Sequence, residues 1–412
     1  MTTSPAKPRH AATVGFPVRD GQLTIGGINI DRLAARVGQT PFYAYDRRLL
    51  DERVSLLRQR FPEEVRLHYA MKANPFPPLV AHMARLVDGI DVASAGELKL
   101  ALDVGAREVS FAGPGKRFAE LRQAVASDIL INVESLAEID RIAEVCEELG
   151  LPGRIALRVN PDFELKSSGM KMGGGPKPFG IDSEVIPAAL ARIAGAGLSF
   201  EGFHLFAGSQ NLKADAIIEA QLKSFDLAMR LADLAQSPLR VLNLGGGFGI
   251  PYFPGEQRLD PAPIAANLHA LAASLAARHP AAHIVVELGR YLVGEAGVYI
   301  TRIIDRKMSR GQLFLVCDGG LHHHLSASGN FGQVIRKNYP AAIANRMAAD
   351  QSTETSTVVG PLCTPLDLLA DRMELAIAQP GDLVAIFQSG AYGPSASPAA
   401  FLGHPPACEV LV

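Results

Sequence analysis

Short apolar, β-rich runs alternate with helix-like stretches along most of this chain, and this rhythm constrains the fold most strongly. Eight such runs occur, at residues 65–74, 89–94, 108–113, 128–135, 154–160, 198–206, 240–249 and 283–290. Amphipathic stretches separate them, as expected for repeated βα units. Eight units suffice to close a parallel barrel. The rhythm therefore predicts an α/β fold, a (βα)8 TIM-like barrel, with an open doubly wound sheet as the alternative, because counting cannot prove closure.

A second domain is indicated by a change of pattern after about residue 295. The segments there are strand-like and joined by turns, with little helix, which is typical of a mainly antiparallel β domain. A strand-like segment near the N-terminus, LTIGGINI, is expected to join it. At 412 residues the chain suits two domains. We predict a barrel over 40–295, a β domain from 13–39 plus 296–412, and a flexible tail over 1–12.

Composition and charge exclude several classes of protein. The formal net charge is −2, with acids and bases well mixed, which speaks against a nucleic-acid partner. No apolar run approaches the roughly 18 to 20 residues that a membrane-spanning helix needs, and the N-terminus lacks the apolar core of a signal peptide. The four cysteines are far apart, without metal-binding spacing. We therefore predict a cytoplasmic protein with reduced thiols and no membrane partner.

Polar residues concentrate near the carboxyl ends of the predicted strands, where a barrel of this kind builds its active site. The residues concerned are Lys72, Asp91, Arg158, His204, Ser209, Gly245, Gly246, Gly247, Glu287 and Arg290. Because the carboxyl ends of parallel strands meet at one end of a barrel, we expect these side chains to lie together. The pattern as a whole is more informative than any one of its residues.

Four of these features together suggest a phosphorylated aldehyde cofactor. Lys72 lies in the mainly apolar YAMKAN, and a buried lysine is more readily a neutral nucleophile that forms a Schiff base. The glycines at 245–247 let backbone N–H groups approach a phosphate, which Arg290 would also suit. A carboxylate such as Glu287 keeps a neighbouring pyridine nitrogen protonated. Each feature has an ordinary alternative: a solvent-facing lysine, a tight turn or a structural ion pair.

Two features of the second domain invite chemical interpretations. Cys363 lies in the Gly/Pro-bounded loop GPLCTPLD, where a thiol near a cationic site can act as acid or nucleophile. The alternative is an inert, small apolar residue. The run His322, His323, His324 suggests zinc, but consecutive residues rarely converge on one ion and no acidic or cysteine partner stands at a usual spacing. We therefore predict no metal site, and substrate contact or surface exposure for His323 and His324.

An ordered set of short motifs resembles one known family. In sequence order, YAMKAN, GIDVASAGEL, FAGPGK, INVES, RVNP, LGGGFG, ELGRY, GPLC and GAY are similar to the motifs of the fold-type III pyridoxal 5'-phosphate (PLP) decarboxylases. Diaminopimelate and ornithine decarboxylases are familiar members. The resemblance covers roughly residues 40 to 395. It implies PLP as the cofactor, an amino-acid-like small-molecule substrate, and a head-to-tail homodimer with active sites shared between subunits.

The resemblance implies a role for each matching residue. Lys72 is similar to the lysine that links covalently to PLP, and Glu287 to the partner of the pyridine nitrogen. Cys363 is similar to the cysteine contributed by the opposite subunit, which protonates the carbanion after carbon dioxide leaves. The phosphate-binding positions are matched by Ser209, Gly245, Gly246, Gly247, Arg290 and Tyr392. The positions that support the cofactor lysine and its surroundings are matched by Asp91 and Arg158.

The chain departs from the family pattern at two places. The H-x-G-S segment reads FAGS here, so Phe206 replaces the histidine that stacks on the cofactor ring. His204 lies two residues earlier, on the same strand face, and we include both residues among those that bind the cofactor. Diaminopimelate decarboxylases carry Cys-Glu-Ser, and ornithine-type enzymes an aspartate, where this chain reads CTP from Cys363. Thr364, which we expect to face the substrate, therefore speaks against both standard substrates.

A third segment narrows the resemblance. In GLHHHLSASGNFGQ the chain resembles a branch that includes exosortase-associated decarboxylases and decarboxylases of carrier-tethered glutamyl groups. We therefore predict a PLP-dependent decarboxylase that removes the α-carboxylate of an amino acid or of an amino-acid-derived substrate, free or linked to an acyl-carrier protein. The alternatives are diaminopimelate decarboxylase proper and an amino-acid racemase on the same barrel. Racemases of this fold generally set an arginine, not a carboxylate, against the pyridine nitrogen.

Overall fold

The chain divides into two compact units. The computed structural model describes residues 8–13, 15–163, 170–171 and 173–412. A β unit consists of residues up to 52, 250–258 and 290–412, and a barrel unit of residues 53–249 and 259–289. Residues 40–52 fall in the β unit, although the sequence pattern assigns them to the barrel. The reason is strand pairing, because Phe42–Tyr45 pairs with Gly297–Ser309.

The barrel unit is built on eight parallel strands. The strands are β1 (Val65–Ala70), β2 (Gly89–Val92), β3 (Val109–Phe111), β4 (Leu130–Val133), β5 (Arg154–Asn160), β6 (Ser199–His204), β7 (Val241–Gly246) and β8 (His283–Leu288). Each strand pairs with the next, and β8 pairs with β1. The sheet therefore closes on itself, which confirms the predicted barrel and removes the open-sheet alternative.

Helices follow the first seven barrel strands, as the βα rhythm predicts. They are Pro77–Met83, Ala95–Asp103, Phe118–Ala126, Leu136–Leu149, Ile186–Gly195, Ala214–Ala232 and Ala262–Arg278. A further helix, Arg47–Arg58, precedes β1 and begins in the β unit. Two of the helix starts are visible in the sequence. The hydroxyls of Ser94 and Ser135 accept hydrogen bonds from the backbone N–H groups of Glu97 and Glu138, three residues on.

The β unit is mainly antiparallel, as predicted. Its strands are Val18–Arg19, Gln22–Ile25, Ile28–Asn29, Phe42–Tyr45, Gly297–Ser309, Gln312–Cys317, Ala341–Ile343, Thr353–Val359, Leu368–Ala376, Leu383–Ile386 and Cys408–Leu411. Its helices are Ile30–Val37 and the short Arg290–Val293. The N-terminal strands join this unit, since Leu23 and Ile25 pack in one core with Phe42, Val298 and Ile300. That shared core explains how residues far apart in sequence form one unit.

Residues 8–12 are tied to the β unit by hydrogen bonds. The carbonyl of Arg9 accepts a bond from Gly255, and Nε2 of His10 lies 2.8 Å from the carbonyl of Asn338. We predicted a flexible tail over 1–12, but residues 8–12 include two residues with hydrogen-bond partners. These partners lie more than 200 residues along the chain, so no local sequence pattern indicates them. Residues 1–7 lie outside the described residues.

Three general features bear on function. All four cysteines are free thiols. Among the described residues, no group of three or more His, Cys, Asp or Glu side chains is arranged to hold a metal ion. Within the same part of the chain, every helix is too short or too polar to cross a membrane.

Candidate active site

Lys72 lies just beyond the end of β1. The strand ends at Ala70, and Met71–Ala73 form a single 3₁₀ turn. The expectation of a buried lysine is wrong: Lys72 is exposed while both of its neighbours in the turn are buried. The turn rotates the lysine away from the apolar positions that precede it. Its amine is therefore accessible, and Nζ lies 5.7 Å from the centre of the Phe206 ring.

Glu287 lies near the end of β8, and its carboxylate contacts side chains of β6 and β7. Its Oε1 lies 3.2 Å from Nε2 of His204 on β6, and its Oε2 accepts a hydrogen bond of 3.4 Å from the amide of Asn243 on β7. Burial opposes ionisation, but His204 outweighs it, with further help from Lys72 and Arg158. The pKa of Glu287 is therefore held well below its usual value. A carboxylate that stays charged is what a protonated pyridine nitrogen requires.

The three glycines at the end of β7 form a loop that tolerates no side chain. A Cβ on Gly246 would lie 1.9 Å from the carbonyl oxygen of Glu287, and one on Gly247 would lie 2.2 Å from that of Gly208. Gly245 and Gly247 also have positive φ angles, +67° and +79°, which favour glycine. Gly245 is buried and its N–H donates to Oδ1 of Asn243, whereas Gly246 and Gly247 are half-buried. Because the half-buried positions carry no side chain, a phosphate can approach their backbone closely.

Phe206 and Ser209 lie on the loop after β6 and line the glycine loop. A Cβ on Gly245 would lie 2.7 Å from Cδ2 of Phe206, and one on Gly247 would lie 3.6 Å from Cα of Ser209. Phe206 thus lies between the lysine amine and the glycines. His204, two residues earlier, is buried and contacts Glu287 instead. The two positions have separate surroundings: Phe206 offers a flat apolar surface, and His204 supports the carboxylate.

Arg158 on β5 is buried and neutralised by Glu134. Its Nη1 donates a 2.8 Å hydrogen bond to Oε1 of Glu134, and its guanidinium lies 5.2 Å from the ring centre of Phe179. Glu134 also accepts hydrogen bonds from the backbone N–H groups of Gly113 and Gly180. Burial raises the pKa of this carboxyl group, but Arg158 outweighs burial and the pKa of Glu134 is lowered. Glu134 was not singled out from the sequence, although it stands in the INVES motif.

Asp91 on β2 is buried, and only one of its two carboxylate oxygens has hydrogen-bond partners among the described residues. Oδ1 accepts a hydrogen bond from the hydroxyl of Ser110 and lies 3.1 Å from Nδ1 of His68. Oδ2 has no hydrogen-bond partner among the described residues. Buried polar atoms are rarely left unpaired in folded proteins, so this oxygen points to a group that the chain itself does not supply.

Arg290 and Tyr392 lie together in the β unit. Nη1 of Arg290 donates a 2.9 Å hydrogen bond to the hydroxyl of Tyr252, and the guanidinium carbon lies 4.6 Å from the ring centre of Tyr392. In the part of the chain that the structure describes, Arg290 makes no ion pair with a carboxylate. A largely enclosed guanidinium without a carboxylate suits an anionic group such as a phosphate. Tyr252 was missed in the sequence, where nothing distinguishes it from a core tyrosine.

Cys363 and Thr364 lie in an irregular loop of the β unit. Cys363 is exposed and Thr364 is half-buried. The hydroxyl of Thr364 is 3.4 Å from the backbone nitrogen of Leu366, within its own loop. The nearest acidic residue along the chain, Asp367, is buried, and its two oxygens accept backbone N–H bonds from Leu321 and Leu362. This loop therefore presents a thiol and a neutral hydroxyl, but its carboxylate is already engaged.

The histidine run is buried, so the expectation of surface exposure is wrong. Nε2 of His323 lies 2.9 Å from the carbonyl of Pro405, and Nε2 of His324 lies 2.8 Å from the hydroxyl of Ser389. Their Nδ1 atoms also have partners, so neither ring keeps a free nitrogen for a substrate. Burial lowers the pKa of His324 to about 3, so that imidazole is neutral. These partners lie far along the chain, and the sequence did not reveal them.

The residues of the barrel unit fit PLP. They provide an accessible amine at Lys72, a glycine loop without side chains, a charged carboxylate at Glu287, and an unpartnered oxygen on Asp91. Lys72 would hold the aldehyde carbon, Glu287 the pyridine nitrogen, and the glycine loop the phosphate. A closed parallel barrel that carries this set at its strand ends is a PLP-binding barrel.

Comparison with known proteins agrees with this class. Residues 47–294 match the family model of the pyridoxal-dependent decarboxylases, pyridoxal-binding domain. The chain is 38% identical over 384 residues to the L-glutamyl-[BtrI acyl-carrier protein] decarboxylase of Niallia circulans, covering 90% of this chain and 89% of that protein. It is 34% identical over 399 residues to the diaminopimelate decarboxylase of Aquifex aeolicus, covering 96% and 91%.

A solved structure shares the complete fold. The crystal structure of diaminopimelate decarboxylase from Helicobacter pylori, complexed with L-lysine, superimposes with a TM-score of 0.82 at 27% identity, covering 93% of this chain and 94% of that one. The chain therefore belongs to the pyridoxal-dependent decarboxylases of the ornithine and diaminopimelate decarboxylase family. It is a PLP-dependent carboxy-lyase, as its motifs predicted.

Proposed function

We propose that this decarboxylase removes the α-carboxylate of an amino acid that is attached to an acyl-carrier protein. PLP chemistry at the α-carbon requires a free amine and a free carboxylate there, so the carrier must be joined through the side chain of the amino acid. Glutamate, joined through its γ-carboxyl group, meets this requirement. We expect the enzyme to act in the cytoplasm.

The observation that carries the proposal is the neutral loop that follows Cys363. A free diamino acid carries a cationic amine at its far end, and such a group calls for a carboxylate in the site. Thr364 is uncharged, and Asp367 is occupied by backbone N–H groups. A substrate whose far end is a neutral thioester needs no such carboxylate. The Niallia circulans relative, which acts on an L-glutamyl carrier protein, supports this choice.

The chemistry within the barrel follows from the residues described above. When bound, PLP supplies an electron sink that accepts the electrons released as carbon dioxide leaves. Lys72 would hold the cofactor through its side-chain amine. Glu287, kept charged by His204, favours a protonated pyridine nitrogen, and Phe206 packs against the ring. Asp91 and Arg158 support the cofactor and its lysine from inside the barrel.

The glycine loop of the barrel unit is proposed to bind the cofactor phosphate through backbone N–H groups, and Ser209 through its hydroxyl. Arg290 and Tyr392 match phosphate-binding positions of the family, and each is proposed as a phosphate ligand. A phosphate held in this way would fix the orientation of the cofactor, and with it the choice of the bond to be broken. Decarboxylation rather than another reaction at the α-carbon depends on this orientation.

Cys363 is proposed to act in the active site of a second copy of the chain. It is exposed, as is Leu366 in its own loop. Phe331, Val334 and Ile335 are exposed in the segment whose Asn330 donates a hydrogen bond to the carbonyl of Leu366. Clustered exposed apolar residues mark interfaces in soluble proteins. A homodimer through this surface would cover them and bring the thiol to the partner's cofactor, where it protonates the α-carbon.

The experiment is a comparison of substrates with purified, PLP-loaded enzyme. Carbon dioxide release is measured with glutamate carried as its γ-thioester on an acyl-carrier protein, and with free L-glutamate, meso-diaminopimelate and L-ornithine. We expect kcat/KM for the carrier-linked substrate to exceed that of each free amino acid at least ~100-fold, as expected for about 3 kcal/mol of additional binding. Preference for meso-diaminopimelate would overturn the proposal. Inversion of the α-carbon without carbon dioxide would indicate a racemase, which the carboxylate of Glu287 disfavours.

A further inference from the structure

A histidine in the middle of the barrel links its two ends. His68 lies on β1 and pairs in register with Gly89 on β2. Its side chain is 5% exposed. Nδ1 lies 3.1 Å from Oδ1 of Asp91 on the active-site side, and Nε2 lies 3.6 Å from Oε2 of Glu108 on the opposite side. One imidazole thus stands between two carboxylates.

The neighbouring strand is shaped for this ring. A Cβ on Gly89 would lie 2.5 Å from Nε2 of His68 and 2.6 Å from Cε1. Both ring atoms belong to a buried side chain that has little room to move, so any residue other than glycine at this position would displace the imidazole. The pairing of His68 with Gly89 is therefore specific, and no part of the proposed reaction explains it.

The surrounding charges favour the imidazolium. Burial opposes a charge on the ring, but Asp91 outweighs burial and Glu108 adds to it, so the pKa of His68 is raised to about 9. Only the charged form has N–H donors on both sides. Two other groups face this network: Arg66 on β1 pairs with Glu108, and on β8 the pKa of His283 is lowered to about 4 by burial and by Arg66.

Asp91 is the group through which His68 reaches the active site. Burial raises the pKa of Asp91 above its usual value and the charge of Glu287 adds to the rise, whereas His68 and Ser110 limit it. Without the imidazolium, two buried carboxylates would face each other with less compensation. The same contact fixes Oδ1, which leaves the unpartnered Oδ2 in one orientation.

We propose that His68 is a positioning residue for the PLP site: placed between Asp91 and Glu108, it fixes the orientation of the Asp91 side chain toward the cofactor. This inference rests on the proposed role of Asp91 in supporting PLP. His68 itself touches neither cofactor nor substrate. Glu108 lies 3.6 Å from the other ring nitrogen and contributes its charge, and Gly89 provides the space.

Three variants and one control test the proposal. His68→Gln removes the charge, Glu108→Gln removes the charge near the other ring nitrogen, and Gly89→Ala displaces the ring without changing any titratable group. His283→Gln is the control, since His283 is also a histidine of the barrel unit, on β8, but makes no contact with Asp91. Circular dichroism and thermal unfolding establish that each variant is folded before PLP is added.

Two measurements are made, and the first needs no cofactor. Histidine labelled with ¹³C at Cε1 is titrated in the cofactor-free protein, with the His68 signal assigned by its loss in His68→Gln. We expect its midpoint near pH 9 in the unmodified protein and at least one pH unit lower in Gly89→Ala and Glu108→Gln. The second is PLP affinity, which we expect to fall about tenfold in His68→Gln and Gly89→Ala, and less than twofold in His283→Gln.

Each outcome bears on the proposal. A midpoint near 6.5 for His68 in the unmodified protein would overturn it, whether or not the variants fold. So would unchanged PLP affinity in folded His68→Gln and Gly89→Ala. These results differ from a failure of the proposed function, in which the unmodified enzyme binds PLP normally but does not release carbon dioxide from the carrier-linked substrate.

Discussion

Nε2 of His204 lies 3.2 Å from Oε1 of Glu287 inside the barrel. The glycine loop lies at the end of β7, the strand between these two residues. The contact joins β6 to β8 across β7, whose Asn243 binds the other carboxylate oxygen. Three consecutive strands thus hold one carboxylate in place and keep it charged. Phe206, two residues after His204, lies instead near Lys72 and Gly245, so the two residues of this segment have different surroundings.

Replacing Glu287 by glutamine is expected to lower kcat about 10²–10³-fold, while PLP remains bound. Glutamine fills the same space but cannot stabilise a protonated pyridine nitrogen, and loss of one preorganised electrostatic group has effects of this size. Carbon dioxide release and cofactor absorbance are measured on the same sample. Glu201→Gln serves as the control, because Glu201 is a buried carboxylate of β6 that pairs with Arg154 outside the site. Equal losses in both variants would argue against a specific role for Glu287.

Gly246→Ala is expected to destabilise the protein by about 2–4 kcal/mol and to weaken PLP binding. The added methyl group would overlap the carbonyl oxygen of Glu287, and backbone atoms cannot move aside cheaply. Chemical denaturation and PLP titration measure the two effects. Gly195→Ala, at the end of a helix with no atom within 4 Å of the added Cβ, is the matched control. We expect it to change stability by less than ~1 kcal/mol, and an equally small effect of Gly246→Ala would contradict the tight fit.

Mixing two inactive variants tests whether active sites are shared. Lys72→Ala removes the cofactor link, and Cys363→Ala removes the proposed proton donor. If each site takes Lys72 from one subunit and Cys363 from the other, hybrids contain one intact site, and an equal mixture recovers about a quarter of the unmodified activity. Cys146→Ala is the control for the loss of a cysteine and should remain active. A mixture of Lys72→Ala and Cys363→Ala that stays as inactive as its parents, in hybrids verified by mass, would contradict the shared site.

Stability should depend on pH through His68. Its pKa is raised to about 9 in the folded protein from an ordinary value of 6.5, so folding favours its protonated form. The stabilisation is complete below about pH 6.5 and is lost as the pH rises through 9, with a magnitude of up to about 3 kcal/mol. Denaturant unfolding of the cofactor-free protein at pH 6 and at pH 9.5 measures it. His68→Gln should reduce this decline and His283→Gln should not; equal declines in all three proteins would contradict the assignment.

The sequence predicted the barrel because its signal is local and repeated. All eight apolar runs became strands, and the polar residues at their ends converge as parallel strands require. The burial of Lys72 was mispredicted because apolar neighbours do not reveal a turn: the strand stops at Ala70, and the next residues rotate. Periodicity describes a strand but not the residue at which it ends.

Long-range contacts explain what else the sequence could not show. His324 is buried against Ser389, and the strand Phe42–Tyr45 belongs to the β unit through its pairing with Gly297–Ser309. Neither partner is near in sequence, so no local pattern indicates it. His68 directly precedes the motif YAMKAN and Gly89 opens the motif GIDVASAGEL, and only their register on adjacent strands shows that they fit together.

The covalent link between the chain and its cofactor can be located directly. The PLP-loaded protein is treated with borohydride, which makes the link permanent, and is then digested and mapped by mass spectrometry. We predict the pyridoxyl label on the peptide that contains Lys72, and none in Lys72→Ala. A label on another lysine, or none in the unmodified protein, would contradict the assignment of this site.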